Sequence, residues 1–478
     1  MKIIKNIIIK NIAKFLIITT RNTIGLTGVV GTSITGFFSV LLWFLYYFEV
    51  IENPYMGIVV YLMLPGVFFC CLFLVAVGYY LGYKKIQTEE YKIRIFLIAA
   101  LTLLNILIVV VGVGGGVSYM NTSSFCGEVC HSVMKPEYTV YQNSAHSKVK
   151  CVECHKGEGP SWFVKSKVSG LKQIAAIFLN SYSRPVESPV HHLRPARDTC
   201  EKCHWPAKFH GDTRKLITKY DTDESNTPNF TILYMKVGGQ RVYDGEYEGI
   251  HWHVSKDYNI KYRALDKRRY KIGWVRVTKK DGSVTEYMSE EYTKIENKEE
   301  LEEKEMDCID CHNRPTHQFE LPEKALADSL TLGLIDKTLP FIYREGLKIL
   351  KEEYTSGQIE KNISTSLRSF YDKEYPNIVK QKAAAIEKAS QELINIYKKN
   401  VFPEMSLKWG YHLSHIGHNN TPGCGRCHNA EMVTKEGKNI SDVEADCDNC
   451  HDIAAEEEQN FCSIQKLLHP GSALDCEE

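Results

Sequence analysis

The chain has no excess of charge of either sign: 58 lysines and arginines balance 58 aspartates and glutamates among 478 residues. Without a basic surplus there is no electrostatic ground for a nucleic-acid partner. Histidine is missing from the first 130 residues, and all 17 histidines follow from His131 onward. That absence excludes a b-type haem held between two histidines in the N-terminal region. Charge is missing from three runs, Ile24–Phe48, Tyr55–Tyr83 and Ile95–Met120. Each is long enough to cross a bilayer, which takes about 20 apolar residues. A cleaved leader does not fit, because the first run is too long, lacks a small-x-small cleavage site and is followed by two more spans.

Basic residues are missing from the loop Glu49–Pro54, whereas Lys2, Lys5, Lys10, Lys14 and Arg21 precede the first run. Lys84, Lys85, Lys92 and Arg94 separate the second run from the third. The asymmetry predicts a cytoplasmic N-terminus, three spans of a bacterial cytoplasmic (inner) membrane, and a periplasmic chain after Met120. The glycine cluster Gly112–Gly116 lies inside an apolar run and reads as a helix-packing surface, not a nucleotide loop.

What the sequence has in plenty is cysteine, 16 in all. Twelve fall in six close pairs, each followed at once by histidine. Five read CxxCH: Cys151, Cys154 and His155; Cys200, Cys203 and His204; Cys308, Cys311 and His312; Cys424, Cys427 and His428; Cys447, Cys450 and His451. The first, CGEVCH, is longer by one residue and holds Cys126, Cys130 and His131. Such a pair forms thioethers to the vinyl groups of a c-type haem, and the adjacent histidine ligates the iron. Structural zinc or disulfides explain the cysteine pairs but not a histidine after every pair. Six covalently bound c-type haems are therefore expected, in the extracytoplasmic compartment that the topology also gives. Cys70 and Cys71 fall in the second run and read as inert; Cys462 and Cys476 can close a disulfide at the C-terminal end.

Six irons need six further ligands, and eleven histidines stand outside the motifs, among them His146, His251, His253, His317, His412, His415 and His418. Supply exceeds demand, so low-spin haems with two histidine ligands are feasible. Those suit electron transfer, because no open position remains.

The expected fold is mainly α with little regular structure: a three-helix transmembrane anchor and a periplasmic multihaem domain with a small β-hairpin insertion. Residues 1–21 read as a cytoplasmic basic N-terminus, 22–120 as the anchor and 121–204 as the segment of haems one to three, with a helix over Trp162–Tyr182. In 205–306, the alternating runs Thr231–Val237 and Trp274–Thr278 and the turn Lys280-Asp281-Gly282 predict hairpins. Within it, Ser289–Met306 reads as a Glu/Lys-rich linker or solvated helix. Haem four occupies 307–320. Residues 321–405 show helical spacing at Leu332, Ile335 and Leu339, then at Tyr343, Leu347 and Leu350, with Pro340 between the sets and three or four helices in total. Haems five and six fill 406–478. The porphyrins are expected to form most of the core.

The run CGEVCHSVMKPEYTVYQNSAHSKVKCVECH, followed by EGPSWFVKSKVSG and CIDCHNRPTH, resembles the NapC/NirT/NrfH family of membrane-bound quinol dehydrogenases. Within it, the chain is most similar to the larger inner-membrane cytochromes of metal-reducing bacteria, which GHNNTPGCGRCHNAE with CDNCH also resembles. The resemblance implies that His146 is the distal ligand of haem three and His317 that of haem two. It implies menaquinol as substrate from the quinone pool, a periplasmic cytochrome or reductase as acceptor, and anaerobic respiration as setting. The axial ligand of haem one stays open between His131 and Met134. The inserted His251-Trp252-His253, read with both histidines on one strand face, is expected to serve haem four. His418 and either His412 or His415 are expected at haems five and six. The resemblance also places Lys167 and Lys172 near a quinol pocket. Gln173 stands where an acidic residue is expected, which leaves Glu137 or Lys135 as proton acceptor. Two rival functions remain at this point, a terminal reductase with an open haem and a passive relay fed by another enzyme.

Overall fold

The computed structural model describes residues 15, 17–47, 59–82, 118–129, 131–156, 179–189, 195–208, 211–240, 247–418, 421–440 and 449–469, with isolated positions in 103–116 and 166–177. The chain divides into two compact units, one made of residues 1–135 with 150–152, the other of residues 136–149 with 153–478.

The first unit contains two helices, Thr23–Tyr47 and Leu64–Gly82, both long and apolar enough to cross a membrane. A wide turn, Val59–Met63, leads into the second. Glycine lets the two backbones touch: a Cβ on Gly78 would come within 2.2 Å of the Gly25 Cα, and one on Gly28 within 2.7 Å of the Val75 nitrogen. Such small-residue crossings are how helices associate where lipid offers no hydrophobic drive. Hydroxyls that would be orphaned in hydrocarbon bond back one turn, Thr32 Oγ1 to the Gly28 carbonyl at 2.9 Å and Thr35 Oγ1 to that of Gly31 at 2.7 Å. Phe37, Phe73 and Tyr80 point outward, as lipid-facing side chains do. Cys71 packs beside Gly31, and neither Cys70 nor Cys71 is in a disulfide. The third expected span lies almost wholly outside the described residues.

The second unit holds two principal sheets. In one, β1 (Thr213–Tyr220) pairs antiparallel with β2 (Pro228–Met235), and β2 with β9 (His451–Glu458); the short strands β3 (Gly239–Gln240) and β4 (Tyr247–Glu248) pair separately. In the other, β5 (Tyr258–Ala264), β6 (Ile272–Lys279), β7 (Val284–Met288) and β8 (Glu303–Glu305) run in the order β7-β6-β5-β8. The turn at Lys280-Asp281-Gly282 joins β6 to β7, with Gly282 in the left-handed region at φ 84°. The segment is thus more than a hairpin insertion, since a strand from the sixth haem segment completes one of its sheets. Ser289–Met306 is not one linker or helix either. It holds a helical turn, Glu290–Thr293, capped by Ser289, and then β8, which adds to the edge of β5.

Residues 322–400 form four helices, Pro322–Thr331, Ile342–Lys351, Ile359–Glu374 and Pro376–Asn400. They share an aliphatic core that includes Leu326, Ile342, Leu350, Ile363, Leu367 and Leu393. This region therefore builds its own core, against the expectation that porphyrins supply most of it. The spacing of Leu332, Ile335 and Leu339 does not mark a helix. Gly333 at φ 68° ends the preceding helix, and the three residues lie in turns, Leu332 exposed and the other two buried. Cys462 begins the last helix, Phe461–Leu468, and is disulfide-bonded; Cys476 lies outside the described residues.

Candidate haem-binding sites

The second to fifth attachment motifs fold as single helical turns. In three of them the histidine N–H donates to the carbonyl of the first cysteine: His204 to Cys200 at 2.8 Å, His312 to Cys308 at 2.8 Å and His428 to Cys424 at 2.9 Å. That closure puts both cysteines on one face with the imidazole one turn on, the spacing that thioether attachment plus axial ligation needs. The stretched first motif takes its extra residue in a wide turn, Phe125–Val129, which is how an inserted residue enters a helix. Cys130, Cys447 and the His131 side chain lie outside the described residues. Met134, the alternative ligand, is half-buried on the helix His131–Gln142.

Five motif histidines each face a second imidazole. Ring centroids stand 6.2 Å apart for His155 and His317, 6.0 Å for His146 and His204, and 6.4 Å for His251 and His312. They stand 5.9 Å apart for His253 and His428 and 6.2 Å for His418 and His451. Imidazole nitrogens sit about 2 Å from a first-row metal, so two rings on opposite faces of one iron hold their centroids ~6 Å apart. The five separations fit a haem iron between each pair.

The distal rings are oriented as second-shell contacts orient ligands. Nδ1 of His146 lies 3.3 Å from the Pro315 carbonyl, that of His251 3.0 Å from Val237, and that of His253 2.8 Å from Ile250. His317 Nδ1 lies 3.0 Å from the Glu137 carbonyl oxygen. Donation to a carbonyl puts the proton on Nδ1 and leaves the Nε2 lone pair for iron. Tyr141 fixes the loop that carries His146, its hydroxyl donating to the Ser147 and Val149 carbonyls at 2.7 and 3.0 Å. Burial keeps the His253 imidazole neutral, its pKa pushed down to about 4, and lowers those of His155 and His312 as well. A neutral ring is the ligating form. His451 Nδ1 is buried without a hydrogen-bond partner among the described residues.

His251 and His253 do not share a strand face. They lie on a 3₁₀ turn, Ile250–Val254, where residues two apart diverge by about 240° around the axis, whereas a strand would align them. His251 accordingly meets the fourth motif and His253 the fifth. His412 and His415 meet no motif histidine among the described residues. The rings touching His412 are Phe319 and Tyr411, and its Nδ1 accepts from Arg314, which leaves the proton on Nε2. His415 contacts Tyr270 and donates from Nδ1 to the Asp310 carbonyl at 3.0 Å. Burial lowers their pKa values to about 3 and about 4, with Arg314 adding to the first and Arg426 to the second.

Polar clamps join neighbouring motifs. Asp307 Oδ2 accepts from the Ala196 and Arg197 amides at 2.7 and 3.3 Å, and its Oδ1 from Cys308 at 2.7 Å. One carboxylate thus caps the helices Ala196–Cys200 and Cys308–Cys311, which carry the third and fourth sites. The Cys200 and Cys308 thiols are in hydrogen-bonding contact, which with burial pushes the Cys308 thiol up. Asp310, inside the fourth motif, is buried and accepts from Tyr262 at 2.5 Å and from Arg269 at 3.3 Å. Cys311 and Cys427 are neighbours across the fourth and fifth sites, and burial pushes their thiols up to about 11 and about 12. Sequence reasoning missed these clamps and the pairing of His253 with the fifth site; only the fold brings such distant segments together.

Of the residues expected near a quinol pocket, Lys167 lies outside the described residues. Lys172, Gln173 and Lys135 are exposed, and the Gln173 amide donates to Ser169 Oγ at 3.4 Å. The Glu137 carboxylate is largely buried, 3.2 Å from His317 Nδ1 and 3.6 Å from the Arg314 guanidinium.

Comparison with known proteins agrees with this arrangement. The N-terminal region model of the NapC/NirT cytochrome c family matches residues 88–198. The cytochrome c-type protein ImcH of Geobacter sulfurreducens is 38% identical over 448 residues, a match that covers 89% of this chain and 87% of that protein. No solved structure matches. Attachment motifs, facing histidines, apolar helices and relatives lead to one conclusion: the chain belongs to the NapC/NirT cytochrome c family and is a membrane-anchored multihaem electron-transfer cytochrome.

Proposed function

We propose that the chain oxidises menaquinol at the periplasmic face of the inner membrane and passes the electrons to a periplasmic acceptor, a cytochrome or reductase. The observation that carries this reading is that at five motifs a second imidazole faces the motif histidine at the spacing a shared iron would need. With a histidine on each face, these sites have no room for an exogenous substrate, which favours electron relay over terminal reduction. Each c-type haem, when bound, supplies a one-electron couple, and six motifs provide six.

The residues of the chain divide the remaining work. His155 and His317, His146 and His204, His251 and His312, His253 and His428, and His418 and His451 would hold the irons. The first site belongs to the same compact unit as the two apolar helices, which favours it as the entry point for a lipid-soluble donor. Oxidation of quinol releases two electrons and two protons. Lys167 and Lys172 suit hydrogen bonding to the quinol oxygen, where a cation stabilises the phenolate as its proton leaves. The Glu137 backbone carbonyl orients His317, and its carboxylate lies largely buried beside Arg314. Lys135, which is exposed, is the remaining candidate for the proton path. A periplasmic entry site releases both protons outside.

Replacing Lys167 or Lys172 by alanine should slow haem reduction by a menaquinol analogue about ten-fold or more, the cost of one hydrogen bond to a developing charge. Reduction by dithionite should be unchanged. Equal quinol rates in wild type and both variants would remove these lysines from the pocket.

A further inference from the structure

The turn Ile250–Val254 carries two histidines separated by one residue, and each faces the histidine of a different attachment motif. Both are anchored through Nδ1, His251 to the Val237 carbonyl and His253 to that of Ile250. Trp252, between them, stacks on His253 at 4.2 Å and meets Tyr258 edge-on at 4.8 Å, which fixes the rotation of the turn. On the other side, Cys311 of the fourth site and Cys427 of the fifth are buried neighbours.

The two pairs differ in one respect that matters for iron. The rings of His251 and His312 are parallel within 1°, whereas those of His253 and His428 cross at 80°. Parallel imidazoles donate into the same iron d orbital and split it from its partner. Crossed imidazoles act on both orbitals alike and leave them nearly degenerate. The first arrangement gives a rhombic ferric low-spin signal, the second a strongly anisotropic one with a large principal g value. The remaining pairs fall at 20° for His418 and His451, 55° for His155 and His317, and 71° for His146 and His204.

We propose that His251 and His253 ligate two different haems, the fourth and the fifth, and that the ring angles make these neighbours electronically unlike. One turn then serves as a shared clamp, setting parallel imidazoles at one site and crossed imidazoles at the next. The proposal rests on haem attachment at Cys308/Cys311 and Cys424/Cys427 and is independent of which donor supplies the electrons.

The test is electron paramagnetic resonance and magnetic circular dichroism of the fully oxidised, haem-loaded protein, wild type and with His251→Met, His253→Met and both. Haem content is measured first. His251→Met should remove one haem equivalent of the rhombic class, and His253→Met one of the anisotropic class. Each should gain one methionine-to-iron charge-transfer band, and the double variant two. A double variant that changes only one haem, or single variants that remove the same signal, would overturn the assignment. If the variants do not accumulate, the wild type still decides, because a spectrum lacking either class contradicts the ring geometry.

Discussion

The four-helix region at 322–400 and the segments that carry the last four attachment motifs share one compact unit but are held together by different means. In the helices, leucine and isoleucine at helical spacing form a continuous core, with Leu326, Ile342, Leu350, Ile363, Leu367 and Leu393 fully buried. Between 136 and 212, the buried apolar residues among those described are Pro136, Val140, Tyr141 and Ala196. There the chain is fixed by single polar atoms such as Asp307, Asp310 and Arg314, and by rings set to face one another across the space a porphyrin fills. A hydrophobic core tolerates sequence drift if volume is kept, whereas a carboxylate that caps two helices does not. One region thus has an apolar core of its own, whereas the other has little and is expected to depend on its cofactors.

The strongest way to break this contrast is to delete a haem. Cys200→Ser with Cys203→Ser should lower the mass by one haem and raise hydrogen exchange over 196–208 and 307–317, while 322–400 stays protected. Equal loosening of both regions would erase the distinction. Next in size is Leu393→Ala, which should cost about 2–5 kcal/mol through the cavity it leaves. Its signature is a lower melting temperature with an unchanged haem spectrum. Asp307→Asn keeps one acceptor oxygen but loses the other, so a cost of about 0.5–2 kcal/mol is expected, with slower electron exchange between the third and fourth sites in pulse radiolysis.

The smallest effect is one of pH. His412 is held neutral by burial and by Arg314, with its pKa down at about 3 against an ordinary 6.5. The unfolded chain takes up this proton as the pH falls through the ordinary value and the folded one does not. Stability present above that value is therefore lost progressively toward about 3. Thermal melts between neutral and mildly acid pH should show the decline, and His412→Gln, which still accepts from Arg314, should flatten it.

How much of this was readable beforehand depends on what sets each feature. The attachment motifs are fully legible because covalent chemistry fixes their spacing. Charge asymmetry and apolar runs announce the anchor for the same kind of reason. Distal ligands are harder, since any histidine brought to the right place will serve. His146 and His317 follow from resemblance alone, and His253 at the fifth site from neither spacing nor resemblance. The segment around Trp252 reads as a strand in the sequence, and that reading hid the divergence of its two histidines. Likewise His451–Glu458 has a composition poor for a strand, with three glutamates at its end, yet becomes one because the β2 edge is available. Leu332, Ile335 and Leu339 mimic a helix, and only the left-handed Gly333 shows that the helix has ended.

The central claim is that electrons enter from quinol. The direct measurement is anaerobic stopped-flow mixing of the detergent-solubilised, haem-loaded protein with a reduced menaquinol analogue, following the haem α-band. The account predicts rapid reduction of a substantial part of the haem that dithionite can reduce. No reduction by quinol, with every haem still reducible by dithionite, would contradict it and leave a relay fed by another enzyme.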